Sequence, residues 1–262
     1  MLFKWLDWSK GQADNRLDDS QVYTNTSLLY SNTLAMYQTL RYFVRFGLYC
    51  TTLGLTSVWA VVLTLAMTLA GQSSSIQHYV ARSFYYFASP ILRVKLRIEG
   101  EHHLSSEGAT VFIGNHQSMW LSNTVFVDRK NREDAVKIFS RAADDMKRKR
   151  MSIFIFAEGT RSNQPLPTML PFKKGAFHLA VQGQFPLVPI VMENYYDLYA
   201  GQAKKFEAGT LTVRVLEPIS TEGYTSSSED IGRLSETARA KMLEALKNMA
   251  NKRSMMNGKR LE

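Results

Sequence analysis

ATVFIGNHQS, residues 109–118, is an apolar, β-rich run that delivers Asn115 and His116 at its end. Open α/β sheets present their chemistry in this way, outside the carboxyl ends of the strands. A second run of the same kind, IFIFAEGTRS (153–162), delivers Glu158, Gly159, Thr160 and Arg161. FVDRKNR (126–132) stands between the two, and PFKKGAFHLA (171–180) and PLVPIVM (186–192) follow. Two neighbouring strand ends, one carrying a base and the other a carboxylate with a guanidinium, predict a site.

Working outward, the pattern is that of an α/β domain built around a mixed β-sheet flanked by helices. Residues 91–99 (ILRVKLRIE) alternate apolar and basic, as a half-exposed strand does. Residues 123–128, 152–157, 187–193 and 210–216 also read as strands. Residues 131–150 place Ala135, Val136, Ile138, Phe139, Ala142, Ala143 and Met146 on one helical face and end in KRKR. Cations suit a helix C-terminus, and the same cluster can meet anionic headgroups. Residues 173–182 read as a further helix. A Ser/Thr-rich linker at 220–228 leads to a last helix over 229–251, whose stripe of Ile231, Leu234, Ala238, Met242, Leu246 and Met249 predicts packing on the sheet.

Toward the N-terminus the composition changes. Residues 46–70 (FGLYCTTLGLTSVWAVVLTLAMTLA) hold no charge, and about 20 such residues suffice to cross a bilayer core. Spaced apolar residues at 28–44 precede this segment. A stretch rich in Tyr and Phe at 76–92 follows, with arginines on both flanks, the dress of a membrane interface. The expected organisation is a polar segment at 1–26, a membrane-associated helical region at 27–92, an α/β domain at 93–220, and a linker with an amphipathic helix at 221–262. The opening MLFKWLDW lacks a cationic stretch before a short apolar core, so no removed signal peptide is expected.

The 262-residue chain is 45% hydrophobic and 21% charged, which is globular, and its net charge of +9 asks for an anionic partner. Cys50 is the only cysteine, which excludes an internal disulfide and a cysteine-based metal site. Nucleic acid is disfavoured, because no nucleic-acid module is recognisable and the apolar segment would go unexplained.

Histidine titrates near neutrality and takes a proton from an alcohol during nucleophilic attack, which makes His116 the candidate base. Arg161 offers a forked donor set for phosphate, and Gly159 permits close backbone approach. Lys173 and Lys174 add charge near a helix start, and Arg129 and Arg132 follow the intermediate strand. One candidate base is thus ringed by phosphate-seeking cations.

GNHQS, FVDR, FAEGTRS with PFKKGAF, and LVPIV stand in the order of the four blocks of the glycerolipid acyltransferases. The chain resembles the eukaryotic 1-acylglycerol-3-phosphate acyltransferases over about residues 95–220. The resemblance implies transfer of an acyl chain from acyl-CoA, a co-substrate, to the free hydroxyl of lysophosphatidic acid, giving phosphatidic acid. It implies His116 as general base, and an acceptor site made by Arg129, Glu158, Gly159, Thr160 and Arg161 with Lys173 and Lys174. Pro189 is implied to shape the acyl or CoA side. It further implies an endoplasmic reticulum membrane, no metal and no permanently bound cofactor. Ala157 stands where the family usually has proline.

One departure touches the chemistry. The family carries an aspartate five positions after the histidine, and Leu121 occupies that place. Residues 119–129 (MWLSNTVFVDR) read as if the chain jumped from just after the first block to just before the second. Removing the orienting carboxylate from a Ser-His-Asp site costs on the order of 10⁴ in rate, about 5 to 6 kcal/mol of barrier. Asp128 is the nearest carboxylate in sequence that could replace it. The expectations are therefore impaired turnover and apolar surface exposed on the remaining sheet.

Overall fold

The computed structural model describes residues 19–72, 76–104, 108–115, 132–160 and 166–256. The chain divides into two compact units, Met1–Phe84 with Ala200–Phe206, and Tyr85–Tyr199 with Glu207–Glu262.

In the first unit, one helix, α1 (Asp19–Leu69), takes in both the apolar segment and the spaced residues before it. No proline interrupts it, and several of its hydroxyls bond back to its own carbonyls. Thr52 Oγ1 donates to Leu48 O and Thr56 Oγ1 to Thr52 O, each at 2.8 Å. Leu28–Leu69 is long and apolar enough to cross a membrane, and only 17% of its most apolar window is buried. The helix α2 (Ile76–Leu92) follows and ends just after Pro90. Trp59 Nε1 donates to Ser83 Oγ at 3.1 Å, and the Tyr49 ring meets Phe84 edge-on. Two short strands, β5 (Tyr199–Ala200) and β6 (Lys205–Phe206), pair with each other.

The second unit is built on a five-stranded sheet. Its strands are β1 (Val94–Glu99), β2 (Val111–Gly114), β3 (Ile153–Phe156), β4 (Leu187–Met192) and β7 (Gly209–Val215), in the order β1-β7-β4-β2-β3. β2 pairs parallel with both β3 and β4, β1 pairs parallel with β7, and β4 pairs antiparallel with β7. The sheet is mixed, as the sequence predicts. The helices are α3 (Arg132–Lys149), α4 (Gly175–Gly183) and α5 (Ser228–Met256).

Core side chains follow from the patterns. Val111 and Ile113 of β2 and Leu187 and Val191 of β4 join Phe177 and Leu179 of α4 and the α5 stripe in one buried cluster. Ile231, Leu234, Ala238, Met242 and Leu246 of that stripe are fully buried. Burying such a side chain stabilises by about 1.5 to 3 kcal/mol, so this stripe fixes α5 on the sheet. Ser227 caps α5 by accepting the Asp230 N–H. β3 is an outer strand among the described residues, and its Phe154 is 41% exposed.

At the β1 end of the sheet, α5 is tied down by charge. Glu99 accepts from Arg214 Nε at 2.9 Å and Nη2 at 2.7 Å, and Lys252 Nζ lies 3.7 Å away. The Arg214 hydrogen bonds hold the Glu99 carboxyl below the usual carboxylate range, with the Lys252 charge adding to the effect. Arg253 meets the buried carboxylate of Glu193 at 3.1 Å.

Candidate functional site

β2 and β3 run side by side in one direction, with Gly114 opposite Phe156, so their carboxyl ends open together. Gly114 is there for a close approach. A Cβ at that position would sit 2.5 Å from Cζ of Phe154, whose ring crosses β2 at this point.

The next residue, Asn115, is fully buried. Its Nδ2 donates to Met192 O at 2.9 Å, and its Oδ1 accepts the Met192 N–H at 2.8 Å. The carboxamide thus reads both main-chain groups of the last β4 residue, replacing a rung of the ladder with a side chain. His116 itself lies outside the described residues, as do Leu121, Asp128, Arg129 and Arg161.

At the end of β3, the Ala157 N–H donates to Gly114 O at 3.0 Å, and the Lys173 N–H donates to Ala157 O at 2.7 Å. Glu158 is only 1% exposed and accepts the Leu170 N–H at 2.8 Å. The chain then turns through Gly159, at φ +66°, with its N–H donating to Phe156 O at 3.2 Å. Glycine adopts that left-handed conformation without strain. Thr160 is exposed just beyond it.

These positions sort the expected site residues. Gly159 and Thr160 form the turn, and Lys173 lies across it, its Cγ 2.9 Å from where a Cβ on Gly159 would be. Glu158 points inward and secures the loop that leads into PFKKG. A buried carboxylate that accepts a main-chain N–H fixes the backbone of that loop. Lys174 diverges from Lys173, its Nζ lying 3.1 Å from the place of a Cβ on Gly232 in α5. Pro189 is buried inside β4 opposite Ile113, and its carbonyl accepts the Leu216 N–H at 2.9 Å. The described residues place it within the sheet.

One contributor escapes sequence reading. Arg239, on α5, donates from Nη2 to Met169 O at 2.8 Å and from Nε to Leu170 O at 3.2 Å. The only signal for it is a cation beside the buried stripe, next to Ala238. Among the described residues, no group of three or more His, Cys, Asp or Glu is placed to hold a metal.

Comparison with known proteins identifies the family. The sequence profile of the Acyltransferase family matches residues 118–193. An uncharacterized acyltransferase of Schizosaccharomyces pombe is 35% identical over 239 residues, covering 79% of this chain and 85% of the relative. The 1-acyl-sn-glycerol-3-phosphate acyltransferase of Saccharomyces cerevisiae is 32% identical over 240 residues, covering 79% of this chain and 78% of its own. The latter alignment is longer than the share of this chain it occupies, so part of the relative has no counterpart here. The crystal structure of the 1-acyl-sn-glycerophosphate (LPA) acyltransferase PlsC from Thermotoga maritima superposes with a TM-score of 0.58 at 20% identity, covering 79% of this chain and 99% of that one, a likeness of fold. With relatives this similar along most of their length and the block order intact, the chain belongs to the acyltransferase family that includes the 1-acyl-sn-glycerol-3-phosphate acyltransferases.

Proposed function

We propose that this protein transfers a fatty acyl group from acyl-CoA to the free hydroxyl of 1-acylglycerol 3-phosphate, and that it does so slowly. The product is phosphatidic acid, and the setting is a membrane, the endoplasmic reticulum. The acceptor oxygen attacks the thioester carbonyl, the C–S bond breaks, and an ester C–O bond forms. His116 takes the hydroxyl proton and returns it to the departing thiolate. Gly159, Thr160 and Arg161, with Lys173 and Arg129, hold the phosphate of the acceptor, and Glu158 keeps their loop in place.

The observation that carries the reading is the β3 turn with Lys173 laid across it, one strand away from the chain that leads into His116. The slowness is argued from Leu121, which stands where the family's orienting aspartate belongs. An imidazole without that partner loses on the order of 10⁴ in rate by analogy with triad enzymes. The same leucine favours a second reading, a membrane-bound protein that binds the lipid or CoA without turnover.

The test is phosphatidate formation by the purified full chain in detergent, supplied with acyl-CoA and 1-acylglycerol 3-phosphate. The expected rate is on the order of 10⁴ below that of the Saccharomyces cerevisiae relative, and His116→Ala abolishes it while leaving lipid affinity intact. A rate equal to the relative's refutes the impairment. No turnover, with affinity retained, selects the binding reading.

A further inference from the structure

We propose that Arg239 is a positioning residue for the anion cradle, acting from α5 through the loop at 166–174. The inference rests on reading the turn at 158–160, with Lys173 laid across it, as part of the seat of the acceptor phosphate.

The geometry forms a continuous chain of contacts. Arg239 grips two successive carbonyls, those of Met169 and Leu170, with one guanidinium edge. The N–H of the same Leu170 is given to Glu158. Three residues later, the Lys173 N–H is given to Ala157, and the Lys173 stem lies over Gly159. The loop is therefore held from both sides, by a cation on its carbonyls and a carboxylate on its amide.

The position of Arg239 is itself fixed. Ala238 and Met242, one residue before and three after, are fully buried in the core, so the helix cannot rotate to withdraw the guanidinium. Glu236 lies 4.0 Å from Arg239 and is largely exposed, a weak contact beside the two carbonyl bonds. A planar fork that donates to adjacent carbonyls is a geometry lysine does not reproduce. Without it, the Met169 and Leu170 carbonyls turn to water, and the Leu170 amide and the Lys173 stem lose their fixed places against Glu158 and Gly159.

The experiment uses the full chain in detergent, with two readouts on wild type, Arg239→Ala, Arg239→Lys and, as control, Glu236→Ala. One is the affinity for 1-acylglycerol 3-phosphate relative to lysophosphatidylcholine, measured by calorimetry. The other is amide exchange in the peptide covering 166–174, read by mass spectrometry. Arg239→Ala is expected to weaken lysophosphatidate binding about ten-fold and to raise exchange in that peptide while leaving β4 and lysophosphatidylcholine binding unchanged. Arg239→Lys, which keeps the charge and one donor to the loop, is expected to fall between, and it decides the matter if the alanine variant does not fold. Glu236→Ala is expected to match wild type. Unchanged exchange in Arg239→Ala overturns the clamp, and raised exchange with unchanged affinity overturns the positioning role. A wild type that does not prefer lysophosphatidate refutes the acceptor assignment instead, and the exchange readout still decides whether Arg239 holds the loop.

Discussion

Replacing Asn115 perturbs a side chain that ties the end of β2 to the end of β4. Its two hydrogen bonds go to the N–H and C=O of Met192, and the site is fully buried. In Asn115→Ala, both main-chain groups lose their partner where water does not reach. Leaving buried groups unpaired costs about 1 to 3 kcal/mol each, so a net loss of about 3 kcal/mol is expected. For a domain of this size that is a fall in Tm of roughly 6–12 °C. Asn115→Asp separates this cause from loss of volume. The ionised side chain still accepts the Met192 N–H but faces the Met192 carbonyl with a second oxygen, and burial penalises its charge. Both effects raise the folded-state pKa of the introduced carboxyl above its unfolded value of about 3.9. The neutral form donates to the carbonyl and restores both bonds. The deficit against wild type is therefore smallest below about pH 4 and grows as pH rises through the raised pKa. Thermal melts of the three proteins in detergent between about pH 4 and 8 check this, since titrations shared by all three cancel in the differences. A gap between Asn115→Asp and wild type that does not change with pH refutes the two-way contact with Met192.

Two other substitutions have worked signs. Glu99→Gln removes the negative charge that faces Arg214 and Lys252, and because the Glu99 pKa is lowered in the fold, its contribution is present above the usual carboxylate pKa and lost as pH falls through the folded value. The variant is expected to be about 1 kcal/mol less stable at neutral pH, converging with wild type in acid, as urea titrations at the two pH values will show. Gly159→Ala forces a side chain into φ +66° and against Lys173 Cγ. It is expected to cost about 1 to 2 kcal/mol and to weaken lysophosphatidate binding, and a calorimetric affinity equal to wild type counts against the cradle.

The strands that frame the site were legible because each is an apolar run closed by a turn residue. β3, β4 and β7 fall within a residue of the expected runs, β2 lies inside the run 109–118, and the strand expected at 123–128 lies outside the described residues. The N-terminal region was harder. Residues 28–44 and 46–70 read as separate pieces because charge disappears between them, yet nothing there breaks a helix, and α1 runs through both. The strand expected from Ile91 begins instead at Val94, since Ile91 and Leu92 complete the last turn of α2. The turn at 158–160 was legible in the sequence, but the inward direction of Glu158 was not. A carboxylate beside an arginine looks the same in sequence whether it faces a ligand or a main-chain amide, and the choice is made by a loop twelve residues on. Arg239 was invisible for a related reason: it contacts carbonyls, which carry no side-chain signature.

The retained and altered parts of this chain bear on different terms of the rate. On the proposed reading, Gly159, Lys173 and the loop held by Glu158 and Arg239 concern how the acceptor is held. Leu121 concerns how its hydroxyl loses a proton. Holding substrate and transition state equally well lowers KM without raising kcat. On the proposed reading, a form with an intact cradle and an unassisted histidine keeps most of its affinity while losing turnover. Such a protein, placed beside an active relative in the same membrane, holds lysophosphatidate and returns it unchanged. Its measurable signature is a normal dissociation constant beside a depressed kcat, and the two quantities separate in one preparation because the residues responsible lie in different blocks.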